Sequence, residues 1–280
     1  MNGRREQDII EPQKGDRTSM KVVLFCGGLG TRLREYGDNI PKPLVPIGYR
    51  PVLWHVMKYY AHFGHTHFII CLGYRADKVK DYFLHYDECV SNDFVLSGGN
   101  KAVSLITSDT QDWNITFVDT GLSTCIGQRL AKVRHLLGND EYFFANYSDG
   151  LTDMHLPKML NRFKRSGKVA AFVCAPPSQS FHIVKLENGS RVNRIEPVRA
   201  SGLLVNAGFF TFRREIFDYI REGEDLVGPP FERLIKKNLI MGYRYDRFWS
   251  MDTFKEQQEL SDLYARGDAP WEVWKVKAQR

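Results

Sequence analysis

Cysteine is scarce in this chain, and its five cysteines are not arranged in pairs. No C-x-x-C spacing occurs, so the sequence contains no redox or zinc motif of that type. The odd number of cysteines argues for free thiols and therefore for a reducing compartment, the cytoplasm. Three of them lie in apolar, strand-like runs and are predicted to be buried: Cys26, Cys71 and Cys174.

Signals for a membrane, for secretion and for nucleic-acid binding are also missing. No apolar segment is long enough to span a bilayer, and the polar N-terminus lacks the apolar core of a signal peptide. The net charge of +6 is modest, and no run of five basic residues occurs. A basic surface that attracts phosphorylated small molecules explains this charge as well as nucleic acid would. We therefore expect no membrane or nucleic-acid partner, a flexible extension over residues 1–19 and a single domain over residues 20–280.

The segment KVVLFCGGLGTRLREYGDNIPKPLVP, residues 21–46, is the most informative part of the chain. Val22–Cys26 is apolar and predicts a buried strand. The strand is followed by three glycines, Gly27, Gly28 and Gly30, which let a backbone turn closely around a ligand. Arg32 then offers a planar fork of donors, and Lys42 offers a compact charge between two prolines. Together these features predict a polyphosphate site.

Two common phosphate-binding motifs do not fit this loop. A Walker A sequence would require Gly-Lys-Ser/Thr, which is absent. The dinucleotide fingerprint would require a third glycine after Gly28-x-Gly30, and none stands there. A glycine turn alone would also be compatible with an ordinary strand exit, but a plain turn needs neither Arg32 nor Lys42.

Strand-like and helix-like segments alternate through the first two thirds of the chain. The predicted strands are Val22–Cys26, Phe68–Leu72, Asn114–Val118, Tyr142–Tyr147 and Val169–Ala175. The predicted helices are Val52–Phe63, Lys78–His85, Gly127–Leu137 and Leu156–Arg165. This order indicates an α/β protein with a Rossmann-like, mostly parallel sheet flanked by helices, whose ligands bind at the carboxyl ends of the strands.

After Pro177 the pattern changes. Three strand-like runs are separated by short turns and predict a β-rich extension that closes the sheet over a substrate: Phe181–Leu186, Arg191–Glu196 and Leu204–Phe212. Helices are predicted afterwards over Arg214–Ile220, Phe231–Lys237 and Phe254–Arg266.

Two aspartates are candidate metal ligands. Asp149 follows a predicted strand and precedes a glycine, and Asp252 lies at a predicted helix start. Each also has a purely structural explanation, because aspartate is common in turns and at helix N-caps. As a pair in a phosphate site they suit Mg²⁺, which prefers one or two carboxylates together with substrate phosphates.

With these residues the chain resembles the sugar-1-phosphate nucleotidylyltransferases, most closely the glucose-1-phosphate cytidylyltransferases. The resemblance runs from about Met20 to Trp274. It is carried by GGLGTRL (27–33), PKPLVPIG (41–48), LWHVMKYY (53–60), IICLGY (69–74), VDTG (118–121), YSDG (147–150), NAGFF (206–210) and FWSMDT (248–253). It implies the fold of the nucleotide-diphospho-sugar transferases, and a Mg²⁺-dependent transfer of CMP from CTP to a sugar 1-phosphate in a homo-oligomer.

The resemblance also implies a role for individual residues. Arg32 would grip the triphosphate, Lys42 would hold the α-phosphate, and Asp149 and Asp252 would bind Mg²⁺. Further nucleotide-binding residues would be Gly27, Gly28, Gly30, Thr31, Thr120, Gly121 and Arg129. The residues on the sugar side would be Glu196, Asn206 and Gly208.

The chain departs from that family at two places. Ser148 stands where relatives carry glycine, and Glu196 is followed by Pro197 where relatives carry the lysine of Glu-Lys-Pro. A replacement cation for the sugar phosphate could come from Lys185, Arg194 or Arg199. Three functions stay open at this point: transfer from CTP to glucose 1-phosphate, the same chemistry with another nucleotide or a modified sugar phosphate, and nucleotide binding without turnover.

Overall fold

The computed structural model describes residues 19–28, 40–99, 101–110, 112–178 and 181–275. The expected N-terminal extension therefore lies outside the described residues, except for Ser19. So do three of the predicted nucleotide-binding residues, Gly30, Thr31 and Arg32.

The described strands and helices follow the alternation that the sequence predicts. The strands are β1 Val22–Cys26, β2 Pro46–Ile47, β3 Arg50–Pro51, β4 His67–Leu72, β5 Phe94–Ser97, β6 Ala102–Leu105, β7 Asn114–Asp119, β8 Tyr142–Asn146, β9 Gly150–Thr152, β10 Ala170–Ala175, β11 His182–Glu187, β12 Arg191–Pro197, β13 Val205–Arg213, β14 Ile240–Arg244 and β15 Phe248–Ser250. The helices are α1 Val52–His62, α2 Ala76–Leu84, α3 Ile126–Lys132, α4 Leu156–Ser166, α5 Pro229–Lys236 and α6 Phe254–Ala265. Short 3-10 turns span Lys42–Leu44, Glu88–Val90, Arg134–Leu137, Val198–Ala200 and Arg214–Tyr219.

Seven strands form the central sheet in the order β14-β10-β13-β8-β1-β4-β7. The pairs β1–β4, β1–β8, β4–β7 and β10–β14 are parallel, whereas β13 runs antiparallel to both β8 and β10. The predicted mostly parallel sheet flanked by helices is thus confirmed.

The predicted β-rich extension needs a correction. Two of its strands form the separate hairpin β11–β12, but the third, β13, lies inside the central sheet. The reason is hydrophobic burial: residues 207–212, Ala-Gly-Phe-Phe-Thr-Phe, are all buried, and such a run needs cover on both faces. Two predicted helices are also modified, because residues 127–137 split into α3 and a 3-10 turn, and Arg214–Tyr219 is entirely 3-10.

The core lies on both faces of the sheet. All five residues of β1 are buried, and they alternate between two hydrophobic clusters. Val22 and Leu24 pack in the cluster that includes α1 and α4, whereas Val23 and Phe25 pack in the cluster that includes α3 and α5. This burial of both faces explains why β1 reads as one continuous apolar run rather than as an alternating one.

Two further predictions can be compared with the described residues. All five cysteines are free, and Cys26 and Cys71 are buried as expected, whereas Cys174 is half-buried. None of the helices in the described part of the chain has the length and apolar character needed to cross a bilayer.

The sheet order places the candidate site. Because β1 and β8 are parallel neighbours, their carboxyl ends open at the same edge of the sheet. Gly27 and Gly28 follow β1, and Asp149 follows β8. A crevice between adjacent carboxyl ends is where open α/β sheets bind ligands.

Candidate active site

A short antiparallel pair of strands brings Asp149 and Asp252 together. In this pair, β9 and β15, Gly150 lies opposite Ser250. The pairing continues by one residue, because the N–H of Met251 donates a hydrogen bond of 2.9 Å to the carbonyl of Asp149. Asp149 therefore directly precedes one strand, and Asp252 follows the other by two residues. Two aspartates that are about a hundred residues apart in the sequence thus lie at one end of the same ribbon.

Lys42 connects the two aspartates. Its Nζ donates one hydrogen bond of 2.6 Å to Asp149 Oδ2 and another of 2.6 Å to Asp252 Oδ1. The lysine begins the 3-10 turn Lys42–Leu44, and the prolines on both sides restrict its backbone. The side chain of Lys42 is 16% exposed, whereas those of Asp149 and Asp252 are 31% and 35% exposed. The structure thus brings together three residues that the sequence predicted to act together.

The charges of these three residues depend on one another. Burial alone would lower the pKa of Lys42, but Asp149 and Asp252 outweigh this effect and raise it, so the ammonium is charged at neutral pH. Burial raises the pKa of Asp149 above its ordinary value; Lys42 opposes this shift, and the charge of Asp252 adds to it. A nearby cation such as Lys42 therefore favours the ionised form of Asp149.

The two carboxylates fit a hard divalent cation. Asp149 Oδ2 and Asp252 Oδ1 converge on one point, which Lys42 Nζ occupies in this structure. The described residues contain no group of three or more His, Cys, Asp or Glu side chains placed to hold a metal, and this site offers two carboxylates. Two carboxylates leave several coordination positions for phosphate oxygens and water, which is the arrangement that Mg²⁺ favours.

The sequence alternative for Asp252, a helix N-cap, is wrong. Thr253 caps α6, and its side chain accepts a hydrogen bond from the backbone N–H of Glu256. Asp252 lies one residue before the cap, so its carboxylate is available to Lys42.

Ser148 adopts a left-handed backbone conformation, which glycine adopts more readily than other residues. Its φ is +66°, and its side chain is fully buried. Asn146 stabilises this turn by accepting a hydrogen bond of 2.7 Å from the N–H of Ser148. A non-glycine residue in this region costs on the order of 1–3 kcal/mol, and such strain is concentrated at functional sites. The strained turn directs the next residue, Asp149, towards Lys42.

An open cavity of about 260 Å³ lies beside these residues. Phe25, Ile126 and Tyr147 contribute apolar surface to it, and Gly28, Lys42 and Asp149 line it as well. Its wall thus combines a cation and a carboxylate with aromatic and aliphatic surface. This is the usual composition of a small-molecule site.

Arg129 is buried, and its hydrogen bonds connect the carboxyl ends of the parallel strands β1, β4 and β7. It is 2% exposed, and its guanidinium donates to the carbonyls of Gly27, Leu72 and Leu122 at 3.0, 2.9 and 3.2 Å. It also donates to Thr120 Oγ1 at 2.6 Å. These acceptors lie at or just after the ends of β1, β4 and β7, so Arg129 fixes the floor of the site.

The chain matches a known family over most of its length. The model of the family described as "Nucleotidyl transferase" matches residues 21–250. This chain belongs to the nucleotidyl transferase family.

Individual relatives in this family agree with that match. A "Probable glucose-1-phosphate cytidylyltransferase" of Bacillus subtilis (strain 168) is 34% identical over 258 residues, which cover 91% of this chain and all of the relative. The glucose-1-phosphate cytidylyltransferase of Salmonella typhi is 34% identical over 257 residues, with the same coverage. The apo structure of a UDP-glucose pyrophosphorylase superposes with a TM-score of 0.65 at 16% identity, covering 89% of this chain and 99% of that one. At this low identity, the last match supports the fold alone.

In this nucleotidyl transferase, the side chains of Thr120 and Arg129 donate hydrogen bonds to other groups of the protein. Thr120 is fully buried, and its hydroxyl donates to the carbonyl of Leu72 at 2.7 Å. Gly121 is half-buried, with a φ of +95°, and its N–H donates to Asp119 Oδ1 at 2.9 Å. The structure therefore places Thr120 and Arg129 behind the loops of the site and Gly121 at their surface.

Glu196, which the sequence predicts to bind the sugar, is paired with Arg194. The Glu196 carboxylate is 9% exposed, and its Oε2 lies 2.6 Å from Nη2 of Arg194, whose side chain is 59% exposed. The two residues are next-but-one neighbours on β12 and therefore share a face. Lys185 lies opposite Arg194 in the hairpin. Of the three candidate cations, Arg194 is the one in contact with Glu196 in the described ion pairs.

Asn206 and Gly208 support Tyr147, which lines the cavity. Asn206 Oδ1 accepts from the N–H of Gly208 at 2.9 Å, and Asn206 Nδ2 donates to the Tyr147 hydroxyl at 3.4 Å. Gly208 has a φ of +73°, and a Cβ at this position would lie 2.6 Å from the Tyr147 ring. These two predicted sugar-binding residues thus shape the wall of the site.

Two residues of the site were missed as individual sequence predictions. Asn146 holds the strained turn at Ser148, and nothing in a single sequence distinguishes it from any other strand residue. Glu256 was detectable, because Thr253-x-x-Glu256 is a capping box, a pattern that marks a helix start.

Proposed function

We propose that this protein transfers CMP from CTP to a sugar 1-phosphate and releases pyrophosphate. Glucose 1-phosphate is the leading acceptor, and the product is a CDP-sugar. The observation that carries this proposal is the convergence of Lys42, Asp149 and Asp252 beside an open cavity at the carboxyl ends of β1 and β8. The choice of CTP and glucose 1-phosphate is supported by the glucose-1-phosphate cytidylyltransferases described above, which are 34% identical over 91% of the chain.

The acceptor needs no general base. The second pKa of a phosphate monoester is about 6, so a sugar 1-phosphate already presents an anionic nucleophile at neutral pH. Catalysis then requires in-line positioning and neutralisation of the charge that develops on the α-phosphoryl group. Lys42 supplies a preorganised cation for that charge. In the complex it exchanges one of its carboxylate partners for an α-phosphate oxygen.

Asp149 and Asp252 are proposed to hold Mg²⁺. When bound, the ion would draw negative charge from the phosphate oxygens and order the triphosphate. The two aspartates act as its anionic ligands, and Met251 and Ser148 hold the backbone on either side in the geometry described above.

The nucleotide is proposed to lie over the loops at the ends of β1, β4 and β7. Gly27 and Gly28 allow the backbone to approach it closely, and the sequence assigns Gly30 and Thr31 to the nucleotide and Arg32 to its triphosphate. Gly121 lies near the base or ribose, and Thr120 and Arg129 hold this surface from behind through the hydrogen bonds to Gly27 and Leu72.

The acceptor is proposed to bind between the hairpin β11–β12 and the central sheet. Glu196 is oriented towards the acceptor by Arg194, which also compensates for the missing lysine by supplying positive charge to the sugar phosphate. Asn206 and Gly208 contribute by holding Tyr147 against the cavity.

The association of several copies of the chain in the cytoplasm is also part of the proposal. The outer face of β11–β12 supports it, because the cross-strand pair Val184 and Ile195 is 49% and 60% exposed. Exposed apolar surface of this kind is typical of interaction sites. Light scattering after size-exclusion chromatography measures the oligomeric state directly.

A pyrophosphate-release assay tests the proposed reaction. The purified protein is incubated with Mg²⁺, each of CTP, dTTP, UTP and ATP, and each of several sugar 1-phosphates, and the products are identified by mass spectrometry. We expect the highest kcat/KM with CTP and glucose 1-phosphate. A tenfold preference for another nucleotide or sugar phosphate would reassign the substrate, and nucleotide binding without pyrophosphate release would indicate a regulatory protein.

A further inference from the structure

The carboxylate of Glu256 binds the loop that carries Asp252. Its Oε2 accepts hydrogen bonds from the backbone N–H of Asp252 at 2.8 Å and from that of Thr253 at 3.0 Å. The bond to Thr253 belongs to an ordinary capping box, in which Thr253 Oγ1 accepts from the N–H of Glu256 at 3.3 Å. The bond to Asp252 is additional, because Asp252 precedes the cap and lies outside the helix.

The other oxygen of Glu256 reaches in the opposite direction. Oε1 accepts from the Ser250 hydroxyl at 2.8 Å and from the Ser178 hydroxyl at 3.3 Å, and these two hydroxyls lie 2.8 Å apart. Ser250 is the last residue of β15, and Ser178 follows β10 on the path to the hairpin β11–β12. Glu256 therefore binds the Asp252 loop on both sides and joins it to the chain that leads to Glu196.

We propose that Glu256 is a positioning residue, which acts through Asp252 and keeps its carboxylate directed at Lys42 and Asp149. Asp252 lies between β15 and α6, in neither element, and its side chain is 35% exposed. Its backbone therefore needs a specific restraint, and the N–H bond to Glu256 provides one. Residues that orient metal ligands typically change metal affinity or activity by about 10–100-fold when they are replaced. This inference rests on the proposed function, since it assigns Asp252 to the metal.

The capping box provides a matched control. Glu256→Ala removes the acceptor of the Asp252 N–H together with one half of the box. Thr253→Ala removes the acceptor of the Glu256 N–H, which is the other half, and a hydroxyl that donates to Glu256 Oε2 at 3.2 Å, but it keeps the carboxylate that accepts from the Asp252 N–H. Both variants lose helix capping, so we expect both to have a lower Tm, with the larger decrease in Glu256→Ala because it also loses the hydrogen bonds from Ser250 and Ser178. Only Glu256→Ala is expected to lose the restraint on Asp252.

Two measurements separate the roles. In pyrophosphate release, Glu256→Ala should raise the Mg²⁺ concentration for half-maximal rate by about tenfold, with a smaller change in the KM for CTP. Thr253→Ala should keep the Mg²⁺ midpoint of the parent enzyme, and Glu256→Gln, which retains one acceptor oxygen, should recover most of the loss. In hydrogen exchange without metal or substrate, a peptide covering residues 248–254 should exchange at least several-fold faster in Glu256→Ala than in Thr253→Ala.

The outcomes are distinct. Equal Mg²⁺ midpoints in Glu256→Ala and Thr253→Ala would overturn the inference and leave Glu256 as a helix cap, and so would equal exchange rates. If the parent enzyme releases no pyrophosphate, the proposed function fails, while the exchange comparison still decides whether Glu256 holds the Asp252 loop. Should Glu256→Ala not fold, Glu256→Asp replaces it, because the shorter carboxylate cannot reach both Asp252 and Ser250.

Discussion

The backbone N–H of Met251 donates a hydrogen bond to the carbonyl of Asp149. This bond extends the β9–β15 pair beyond its last strand residues and sets the distance between Asp149 and Asp252. The same pairing leaves both carboxylates within reach of Lys42. A ribbon with three residues in each strand thus provides the rigid part of the site.

Lys42→Met should lower kcat by about 10²–10³ while the fold is retained, because one preorganised donor to a developing charge contributes that much to the rate. Methionine keeps most of the apolar stem and removes the ammonium. Steady-state kinetics and circular dichroism would check this prediction. A near-normal kcat in a folded variant would rule out this role for Lys42.

The same variant should shift the acid limb of the pH profile. Asp149 must be ionised to bind a cation, and its pKa is raised by burial and by Asp252 but lowered by Lys42. Activity therefore falls as the pH decreases through this raised pKa. Without Lys42 the pKa of Asp149 rises further, so the limb should move to higher pH. The sugar phosphate titrates in the same way with the parent enzyme and with Lys42→Met, so it does not contribute to a difference between their pH profiles. If activity falls over the same pH range in both proteins, Lys42 does not control the pKa of Asp149.

Asp149→Asn and Asp252→Asn should each raise the Mg²⁺ concentration required for half-maximal activity, because each removes an anionic ligand from a hard cation. Removing divalent ions with EDTA should abolish pyrophosphate release, and added Mg²⁺ should restore it. Asp246→Asn is a suitable control, since Asp246 is exposed and paired with Arg244. If either site variant retains the parent midpoint and rate, that aspartate has a structural role only.

Gly27→Ala should destabilise the protein, whereas Gly28→Ala should not. A Cβ at Gly27 would lie 2.0 Å from Nη1 of the buried Arg129, but a Cβ at Gly28 would have no atom of the described residues within 4 Å. Overpacking a buried contact typically costs about 1–3 kcal/mol. Urea unfolding of the two variants would measure the difference in the free energy of unfolding. Equal stabilities would mean that Arg129 can move away from the loop without cost.

The sequence predicted those parts of the fold and site that depend on local patterns. Val22–Cys26 is a continuous apolar run, so its burial as a strand was evident, and Asp149 stood out because it follows such a run. The apolar run of β13 indicates burial on both faces, but the choice of β8 and β10 as its antiparallel partners depends on strands that are distant in the sequence, which no local pattern encodes. The burial of Arg129 was also unpredictable, since an arginine is expected at the surface until its carbonyl partners are known.

Arg194→Ala should raise the KM for the sugar phosphate by about tenfold or more and leave the KM for CTP nearly unchanged. The Glu196 carboxylate is 9% exposed and has Arg194 as its ion-pair partner, so the variant leaves a nearly buried charge unpaired. It also removes positive charge from the face of β12 on which the dianionic phosphate is proposed to bind, and an unpaired charge is costly to bury.

Arg191→Ala is the matched control, because Arg191 lies on the same strand and its ion pair with Glu187 is exposed. Lys185→Ala and Arg199→Ala test the other two candidate cations. If Arg194→Ala binds glucose 1-phosphate as tightly as Arg191→Ala does, then Arg194 does not replace the missing lysine.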